Sequence, residues 1–306
     1  MRSCDALVLG ATGFIGRALV TQLSAQGQHI VCVVRPGPRN LDALRRLPNV
    51  EVIAAELAET LPELSPRQVF NLAAAGVARG QAVPDTLAAG NAGIVADLFR
   101  HASSWPVQRI VHVGSCAEFG MVDAQRVTET FAIVPVSPYG QAKADASALA
   151  LQLGTSLGLP VAVLRLFGTL GPGEAPQRLL PYVIHQLRKG LPCALTSGMQ
   201  VRDFTLVDDI ARALLAAMAA PLPPVCALNV GSGQGTTVRA LVDQVADHLA
   251  APRALLQFGA RPQPTDEPLV LVADPTAFQA ATGWRAGVDL NTAIARTIAW
   301  HSEHAP

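Results

Sequence analysis

A tyrosine and a lysine four residues apart are the side chains of this sequence best suited to move a proton. Tyr139 and Lys143 lie in the segment SPYGQAK, where Ser137 is a favourable helix N-cap and Pro138 suits the first helical position. A helix that begins there puts both side chains on one face. An ordinary tyrosine has a pKa of about 10, and a neighbouring ammonium lowers it by stabilising the phenolate. The pair is therefore predicted to transfer a proton to or from a carbonyl or alcohol oxygen.

Ser115 is the third candidate for the same site, because it follows an apolar strand predicted to end at about residue 113. Ligands of a doubly wound sheet bind beyond the carboxyl ends of its strands. A hydroxyl group at that edge could hydrogen-bond a reacting oxygen. The alternatives are a plain serine in the turn after a strand, and a tyrosine–lysine pair on a solvated helix face. Their joint position downstream of a glycine-rich turn favours the catalytic interpretation.

Three glycines spaced three residues apart follow the first apolar stretch. Gly10, Gly13 and Gly16 stand between a strand predicted over residues 6–9 and a helix predicted over residues 17–26. In such a motif the first glycine permits a tight turn, the second lets the backbone approach a pyrophosphate, and the third lets the helix pack on the strand. The helix N-terminus offers free N–H groups and a positive dipole end to phosphate. This setting predicts dinucleotide binding, and a turn without a ligand is the alternative.

The end of the second predicted strand indicates which dinucleotide is bound. NAD sites place an acid there to hold the ribose 2′-hydroxyl, whereas NADP sites place an arginine nearby. Here the chain continues from Val34 through Arg35 to Arg39, and no acidic residue comes before Asp42. An arginine can hold a 2′-phosphate through two parallel hydrogen bonds. The sequence therefore favours NADP(H) over NAD, and a solvated loop cation is the alternative for Arg35.

Strands and helices alternate along the first half of the chain. Nearly continuous apolar stretches predict strands over residues 6–9, 30–34, 50–54, 68–72, 109–113 and 161–166, and helices are predicted over 17–26, 83–102 and 139–157. This alternation predicts an α/β fold with a doubly wound parallel Rossmann sheet.

Glycines and prolines interrupt the alternation after Gly168. Helices are predicted over residues 179–189, 209–220, 237–249 and 289–301, with one strand over 227–230. A smaller, mixed α/β substrate lobe is therefore expected. We expect residues 1–167 with about 203–232 to form the NADP-binding domain, and about 168–202 with 233–306 to form the substrate lobe.

The composition of the 306-residue chain excludes several other classes of protein. Lys and Arg number 23 and Asp and Glu also 23, a balance that does not suggest the basic face of a nucleic-acid binder. The most apolar stretch, residues 213–228, contains three prolines and is shorter than the roughly 20 residues of a membrane span. Five scattered cysteines and seven scattered histidines predict neither a disulfide framework nor a metal site. The first strand begins too early for a signal peptide, so a cytoplasmic protein is expected.

The ordered set of motifs resembles the extended short-chain dehydrogenase/reductase family of nucleotide-sugar epimerases, dehydratases and reductases. The likeness covers nearly the whole chain. It rests on GATGFIG (10–16), NLAA (71–74), GSCAEFG (114–120), SPYGQAK (137–143), LRLFGTLGPG (164–173), GMQVRDFTLVDDIARAL (198–214), NVGSGQGTTVRAL (229–241) and ADPTAFQAATGW (273–284). Each motif alone is weak, and their order makes the set specific.

The resemblance implies a role for each matched position. Ser115, Tyr139 and Lys143 would be the catalytic residues, and Lys143 would also bind the nicotinamide ribose. Besides the glycines and arginines named above, the cofactor contacts would be Thr12, Phe14, Ile15, Leu57, Leu72, Ala73, Ala74, Asn91 and Leu166. The substrate contacts would be Ser115, Cys116, Gly168, Arg202 and Arg261, with the two arginines on a diphosphate. A salt bridge from Arg202 to Asp203 or Asp208 is the alternative for that arginine.

Three departures from the family's patterns narrow the expected reaction. Dehydratases of the family carry acidic residues directly after the catalytic hydroxyl residue, where this chain has Cys116 and Ala117, so elimination of water is disfavoured. Gly168 stands where the family often has an asparagine that contacts the sugar nucleotide. Epimerases have an acid at the end of the second strand, where this chain has Val34 followed by Arg35, as in the NADPH-dependent reductases.

The resemblance thus implies NADPH-dependent reduction of the 4-keto group of a nucleoside-diphosphate 4-keto-6-deoxyhexose. An NAD-dependent nucleotide-sugar 4-epimerase is the second hypothesis. A non-catalytic NADP-binding sensor or scaffold is the third, and the complete set of three catalytic residues argues against it. The family also implies a homodimer formed through the helices around residues 91–102 and 139–157. No nucleic acid, membrane or metal is expected as a partner.

Overall fold

A computed structural model describes residues 2–37, 41–58, 63–76 and 84–304. The strands are β1 (Arg2–Leu9), β2 (Ile30–Val34), β3 (Val50–Ala54), β4 (Leu64–Asn71), β5 (Arg109–Ser115), β6 (Val161–Leu166), β7 (Gly168–Leu170), β8 (Cys193–Leu195), β9 (Val201–Leu206), β10 (Val225–Val230), β11 (Gly235–Thr237), β12 (Leu256–Phe258) and β13 (Val270–Leu271). The helices are α1 (Phe14–Ala25), α2 (Leu41–Arg45), α3 (Pro84–Ala88), α4 (Ile94–Ala102), α5 (Pro138–Leu157), α6 (Leu179–Arg188), α7 (Val207–Ala219), α8 (Val238–His248), α9 (Thr276–Thr282) and α10 (Leu290–Glu303).

A parallel sheet forms the centre of the fold. Within the described residues it has seven strands in the order β10–β6–β5–β4–β1–β2–β3. Every neighbouring pair is parallel. Strand order reverses beside β1, and in doubly wound sheets ligands bind at such a switch point. The predicted α/β fold with a doubly wound parallel Rossmann sheet is confirmed.

Helices cover both faces of this sheet, which explains why its strands are almost continuously apolar. Ala6 and Val8 of β1 pack with buried residues of α1 and α7 on one face. Leu7 and Leu9 point to the other face and pack with residues of α4 and α5. All five residues of β2 are buried. Burying both faces removes a large apolar area from water, and each Å² of buried apolar surface stabilises the fold by roughly 25 cal/mol.

A smaller set of strands and helices is formed by segments that come before and after β10 in the chain. Strand β9 pairs with β7, β11 and β13, and β8 pairs with β12. Residues of α6, α8 and α10 enclose a separate apolar cluster against β8 and β9. The mixed α/β character expected of this part is confirmed. Strand β9 spans the domain boundary predicted near residue 203, and the division of the chain into two domains stays a prediction.

The short strands of this part were not predicted from the sequence. Strands β7, β8, β11 and β12 have three residues each and β13 has two. Such lengths hold too few residues for an alternating pattern to stand out. No helix within the described ranges is both long and apolar enough to cross a bilayer.

Candidate active site

The carboxyl ends of the central strands open into one cleft of about 1020 Å³. Its walls come from the glycine turn after β1, from the ends of β2 to β6, from the start of α5 and from the segments around Arg178 and Arg202. This volume is at the upper end for a small-molecule site. Most of the residues predicted from the sequence meet in this cleft.

The glycine turn has the shape that a dinucleotide pyrophosphate requires. Gly10 adopts a φ of +77°, and a Cβ there would lie 2.7 Å from the backbone of Leu72 and Ala73. A Cβ on Gly16 would overlap the carbonyl of Gly10. Gly13 caps α1 without any side-chain hydrogen bond, so the first N–H groups of the helix stay available at the cleft.

We expect Gly16→Ala to abolish tight dinucleotide binding and to lower the free energy of unfolding by about 1–3 kcal/mol, because the methyl group must push α1 away from the turn. The matched control is Gly93→Ala, at a helical position where the nearest atom to a new Cβ is 3.6 Å away. Thermal unfolding and dinucleotide titration of both variants measure the effect. Unchanged binding by Gly16→Ala would contradict the assigned role of the turn.

Further residues predicted as cofactor contacts line the same half of the cleft. They are Thr12, Phe14 and Ile15 at the start of α1, Leu57 after β3, Leu72, Ala73 and Ala74 after β4, and Leu166 at the end of β6. Arg35 is exposed at the end of β2 and also lines the cleft. Arg39 lies outside the described residues.

Asn91 lies behind the cleft wall. The helix predicted over residues 83–102 is interrupted by a π-helical turn, Ala89–Gly93, between α3 and α4. The buried Asn91 donates hydrogen bonds to the carbonyls of Leu87, at 2.8 Å, and of Ala75, at 3.3 Å. Its position therefore indicates that Asn91 fixes the segment after β4, whereas Gly90 and Ile94 line the cleft itself.

Ser115 and Tyr139 meet at the centre of the cleft. Ser115 is the last residue of β5, and Tyr139 is the second residue of α5. Ser137 caps this helix by accepting a hydrogen bond from the Gly140 N–H at 3.0 Å, as predicted. Burial raises the pKa of Tyr139 to about 12, although a hydrogen bond with the Ser115 side chain and the positive charge of Arg178 lower it. The phenol therefore keeps its proton at neutral pH.

Lys143 is buried one helical turn beyond Tyr139. Its Nζ donates a 2.5 Å hydrogen bond to the Val113 carbonyl. Burial lowers the pKa of Lys143 to about 8, and the charge of Glu118 works against that fall. The sequence predicted that this lysine would lower the pKa of Tyr139. In the structure, burial of the phenol outweighs the groups that lower its pKa, so the pKa of Tyr139 is raised on balance, and the effect of Lys143 on the phenolate stays a prediction.

Glu118 is a residue of this site that sequence reasoning missed. It is 0% exposed, and its Oε1 accepts hydrogen bonds from the Ser115 N–H and the Ser147 hydroxyl, both at 2.8 Å. Its Oε2 pairs with Nε of the buried Arg165 at 2.8 Å. The carboxylate therefore ties β5, α5 and β6 together directly behind Ser115. A signal did exist: two charged residues stand in otherwise apolar surroundings, at positions 118 and 165.

Cys116 and Gly168 lie on the side of the cleft predicted for the substrate. Burial raises the pKa of the Cys116 thiol to about 12, so it is not a nucleophile at neutral pH. Strand β7 pairs closely with β9, and a Cβ on Gly168 would overlap the Asp203 carbonyl. A side chain at this position would therefore require β7 to move away from β9.

Arg202 lines the cleft but has a partner that the sequence did not suggest. Its Nη2 is 3.0 Å from a carboxylate oxygen of Glu267 and 2.8 Å from the Pro268 carbonyl. The alternative salt bridge to Asp203 or Asp208 is wrong.

Asp203 is fully buried and serves a different purpose. Its carboxylate accepts hydrogen bonds from the N–H groups of Ser232, Gly233 and Ala273 and from the Ser232 hydroxyl. It thereby holds the turn after β10. Burial of the carboxyl outweighs these bonds and raises its pKa.

Arg261 is not brought to the cleft. It is exposed, stacks over the ring of Tyr182 at 4.9 Å and donates a 3.3 Å hydrogen bond to its hydroxyl.

His112 is buried in β5, where Nδ1 lies 3.1 Å from the Asn71 amide, and burial lowers its pKa well below the usual range. No group of three or more metal-ligating side chains occurs in the part of the chain that the structure describes.

The fold and the cleft together define an enzyme built to hold a nicotinamide dinucleotide. The family model of the NAD dependent epimerase/dehydratase family matches residues 6–231. The chain belongs to this family, and the predicted membership of the extended short-chain dehydrogenase/reductases is confirmed.

Individual relatives cover almost the whole chain. A dTDP-glucose 4,6-dehydratase of Streptomyces griseus is 28% identical, over 97% of this chain and 94% of that protein. A dTDP-6-deoxy-L-talose 4-dehydrogenase (NAD(P)(+)) of Kitasatospora kifunensis is 26% identical, over 94% and 92%. Among solved structures, MoeE5 in complex with UDP-glucuronic acid and NAD has a TM-score of 0.86 and 28% identity, over 98% of this chain and 99% of that one.

Proposed function

We propose that this protein is an NADPH-dependent reductase of the 4-keto group of a nucleoside-diphosphate 4-keto-6-deoxyhexose. The observation that carries the proposal is the Ser115–Tyr139 pair, which lines the cleft at the end of β5 and the start of α5. A protonated phenol beside a hydroxyl group is the arrangement that proton donation to a ketone oxygen needs. The relatives act on nucleotide sugars, and one of them is a 4-dehydrogenase by name.

Each of the three catalytic residues has a distinct task in this reaction. A bound nicotinamide dinucleotide supplies hydride chemistry. Ser115 hydrogen-bonds the sugar carbonyl oxygen and polarises it, and Tyr139 donates its proton to the same oxygen as negative charge develops there. The ammonium group of Lys143 stabilises the resulting phenolate. Glu118, which Arg165 holds in place, fixes the backbone of Ser115 and favours the charged form of Lys143.

The preference for NADPH rests on Arg35. It is the cation at the end of β2 that lines the cleft, at the position where a dinucleotide of this fold places its adenosine ribose. The solved relative MoeE5 holds NAD, so a comparison of the affinities for NADPH and NADH tests this preference.

Arg35→Asp is expected to weaken NADPH binding roughly ten- to a hundredfold, because a charge-assisted hydrogen bond to the 2′-phosphate is lost and a repulsive charge is added. NADH binding should stay the same or improve. Fluorescence titration with both cofactors measures the ratio, and Arg45→Asp, on the exposed end of α2, controls for the change in net charge. An NADPH affinity that survives Arg35→Asp would show that this arginine does not select the cofactor.

A nucleotide-sugar 4-epimerase with retained NAD is the second candidate. The family and the NAD complexes among its solved members favour it. Denaturing the purified protein and identifying any released cofactor separates the two: stoichiometric NAD favours the epimerase. NADPH consumption with a panel of 4-keto-6-deoxy sugar nucleotides favours the reductase.

Two further expectations belong to the same proposal. Arg202 would hold the diphosphate of the substrate after exchanging its contact with Glu267. The protein would work in the cytoplasm as a homodimer joined through α4 and α5. Analytical ultracentrifugation measures the oligomeric state, and a monomer at micromolar concentration would contradict the dimer.

A further inference from the structure

Glu174 is a buried carboxyl group in the wall of the cleft that the reaction described above does not use. It follows β7 in the segment that leads to α6 and is 8% exposed. It lines the cleft together with Ala175 and Arg178. Neither the glycine turn nor the catalytic residues account for an acid at this position.

Half of this carboxyl group has no hydrogen-bond partner. Oε1 lies 3.4 Å from Nε of Arg178, whose side chain is 51% exposed. Oε2 is buried and has no partner among the described residues. Buried carboxylate oxygens are almost always hydrogen-bonded, because leaving one unpaired costs free energy of desolvation. An oxygen of this kind in a ligand cleft is suited to accept a hydrogen bond from a ligand.

The backbone around Glu174 is fixed, so the carboxyl group is held in place. Its own N–H donates to the Gly171 carbonyl at 3.3 Å. Arg17 of α1 donates to the Gly173 carbonyl at 2.8 Å and to the Thr12 carbonyl at 3.2 Å. These bonds join the segment to the glycine turn, and such fixation pre-organises a binding group.

The surroundings place Glu174 on the substrate side of the catalytic pair. Its partner Arg178 is near enough to Tyr139 for its charge to lower the pKa of that phenol. The neighbouring wall is formed by Phe167, Gly168 and Thr169, beyond the end of β6. Arg35 marks the adenosine end of the cleft at β2, several strands away along the sheet.

We propose that Glu174 is a specificity-determining residue whose Oε2 accepts a hydrogen bond from a hydroxyl group of the substrate's sugar, while Arg178 orients the carboxyl group. This inference rests on the proposed function, since it assumes a sugar nucleotide in the cleft. It implies that the enzyme selects sugars that present a hydroxyl group at this point over their deoxy analogues. Burial raises the pKa of Glu174 to about 7, because the carboxylate lacks enough hydrogen-bond donors to replace its lost hydration. A hydroxyl group of a bound ligand would supply one such donor.

The test compares the sugar with the bare nucleotide. Calorimetric titration of the cofactor-loaded protein with UDP, dTDP, UDP-glucose and dTDP-glucose gives the gain in affinity that the glucose part provides. We expect Glu174→Leu to reduce that gain about tenfold while leaving the affinity for UDP or dTDP unchanged. Glu174→Gln keeps an acceptor oxygen and should retain most of the gain. Because the wild-type carboxyl is buried without a full set of partners, neither variant should lower the melting temperature.

A set of dTDP-glucose analogues, each lacking one hydroxyl group, then identifies the contact. For one analogue, the loss of affinity in the wild-type protein should equal the loss that Glu174→Leu causes with dTDP-glucose. Glu174→Leu should bind that analogue as tightly as it binds dTDP-glucose. Glu303→Leu, on the exposed last turn of α10, controls for the introduced leucine.

The outcomes separate this inference from the proposed function. Wild-type protein that binds none of the four nucleotides contradicts the proposed function itself. Binding of the sugar nucleotides with an equal sugar contribution in wild type and Glu174→Leu overturns only the role of Glu174. If a separate titration with dinucleotide showed that Glu174→Leu weakens only cofactor binding, the carboxyl group would belong to the cofactor site and the proposal would also be overturned.

Discussion

Replacing Tyr139 with phenylalanine is expected to lower kcat by about a hundredfold to ten-thousandfold, while the fold and cofactor binding persist. General acid catalysis by a positioned side chain contributes an effect of this size, and phenylalanine removes only the hydroxyl group. In the structure burial raises the pKa of that hydroxyl group, which therefore keeps its proton at neutral pH. No other phenol can replace it, since Tyr182, the second tyrosine of the chain, is engaged with Arg261.

The measurement is steady-state reduction of a keto-sugar nucleotide, followed through NADPH absorbance. Tyr182→Phe is the matched control, because it removes the same atom from the one other tyrosine. We expect that control to retain wild-type kcat. Full activity of Tyr139→Phe would remove the proposed mechanism altogether, and full activity with a changed product would favour a reaction that needs no proton from this residue.

Replacing Glu118 with glutamine is expected to cause the second large effect, on both stability and the pH profile. The change leaves Arg165 buried without its counter-ion, and breaking a buried ion pair in this way costs about 3–5 kcal/mol. Glutamine can still accept the hydrogen bond from the Ser115 N–H, so the local backbone geometry is preserved better than with a smaller residue.

The pH effect follows from the charge of Lys143. Its pKa is about 8, so the required ammonium is lost as the pH rises through that value, and activity should fall on the alkaline side. The negative charge of Glu118 raises this pKa. Removing that charge lowers the pKa further, so the alkaline limb of the kcat profile should move to lower pH.

Asp209→Asn provides the control for this experiment. Asp209 is also fully buried and pairs with Arg212, but it holds the backbone of Gly287 and Val288, which do not line the cleft. We expect it to lower the melting temperature without moving the alkaline limb. If Glu118→Gln lost stability and kept the wild-type profile, Glu118 would be a structural residue only.

Local features of the site could be predicted from the sequence because they depend on residues close together in the chain. The N-cap at Ser137 and the position of Tyr139 on α5 need only the seven residues of their motif. The glycine turn likewise follows from the order strand, glycines and helix over about 20 residues. The place of Ser115 at the carboxyl end of β5 follows from an apolar run, although the strand extends two residues beyond its predicted end at residue 113.

Partners distant in the chain could not be predicted, because they depend on which elements become neighbours. Glu118 meets Arg165 only because β6 lies beside β5 in the sheet. Arg202 meets Glu267 through the pairing of β9 with β13, whereas Arg261, only six residues before Glu267, binds Tyr182 outside the cleft. Glu174 could not be identified as a candidate binding residue from the sequence, because its burial and its unpartnered oxygen are properties of the folded chain.

The sequence by itself determined the fold class and the membership of the family, and it predicted the three candidate catalytic residues. The apolar periodicity and the motifs are sufficient for these predictions, because both depend on the conformation of short stretches of backbone. Only the tertiary structure decided the protonation of Tyr139 and Lys143, the pairing of Arg202 and the place of Arg261. Those properties arise from desolvation and from charges that folding brings within a few ångströms, and neither has a counterpart in the order of the residues.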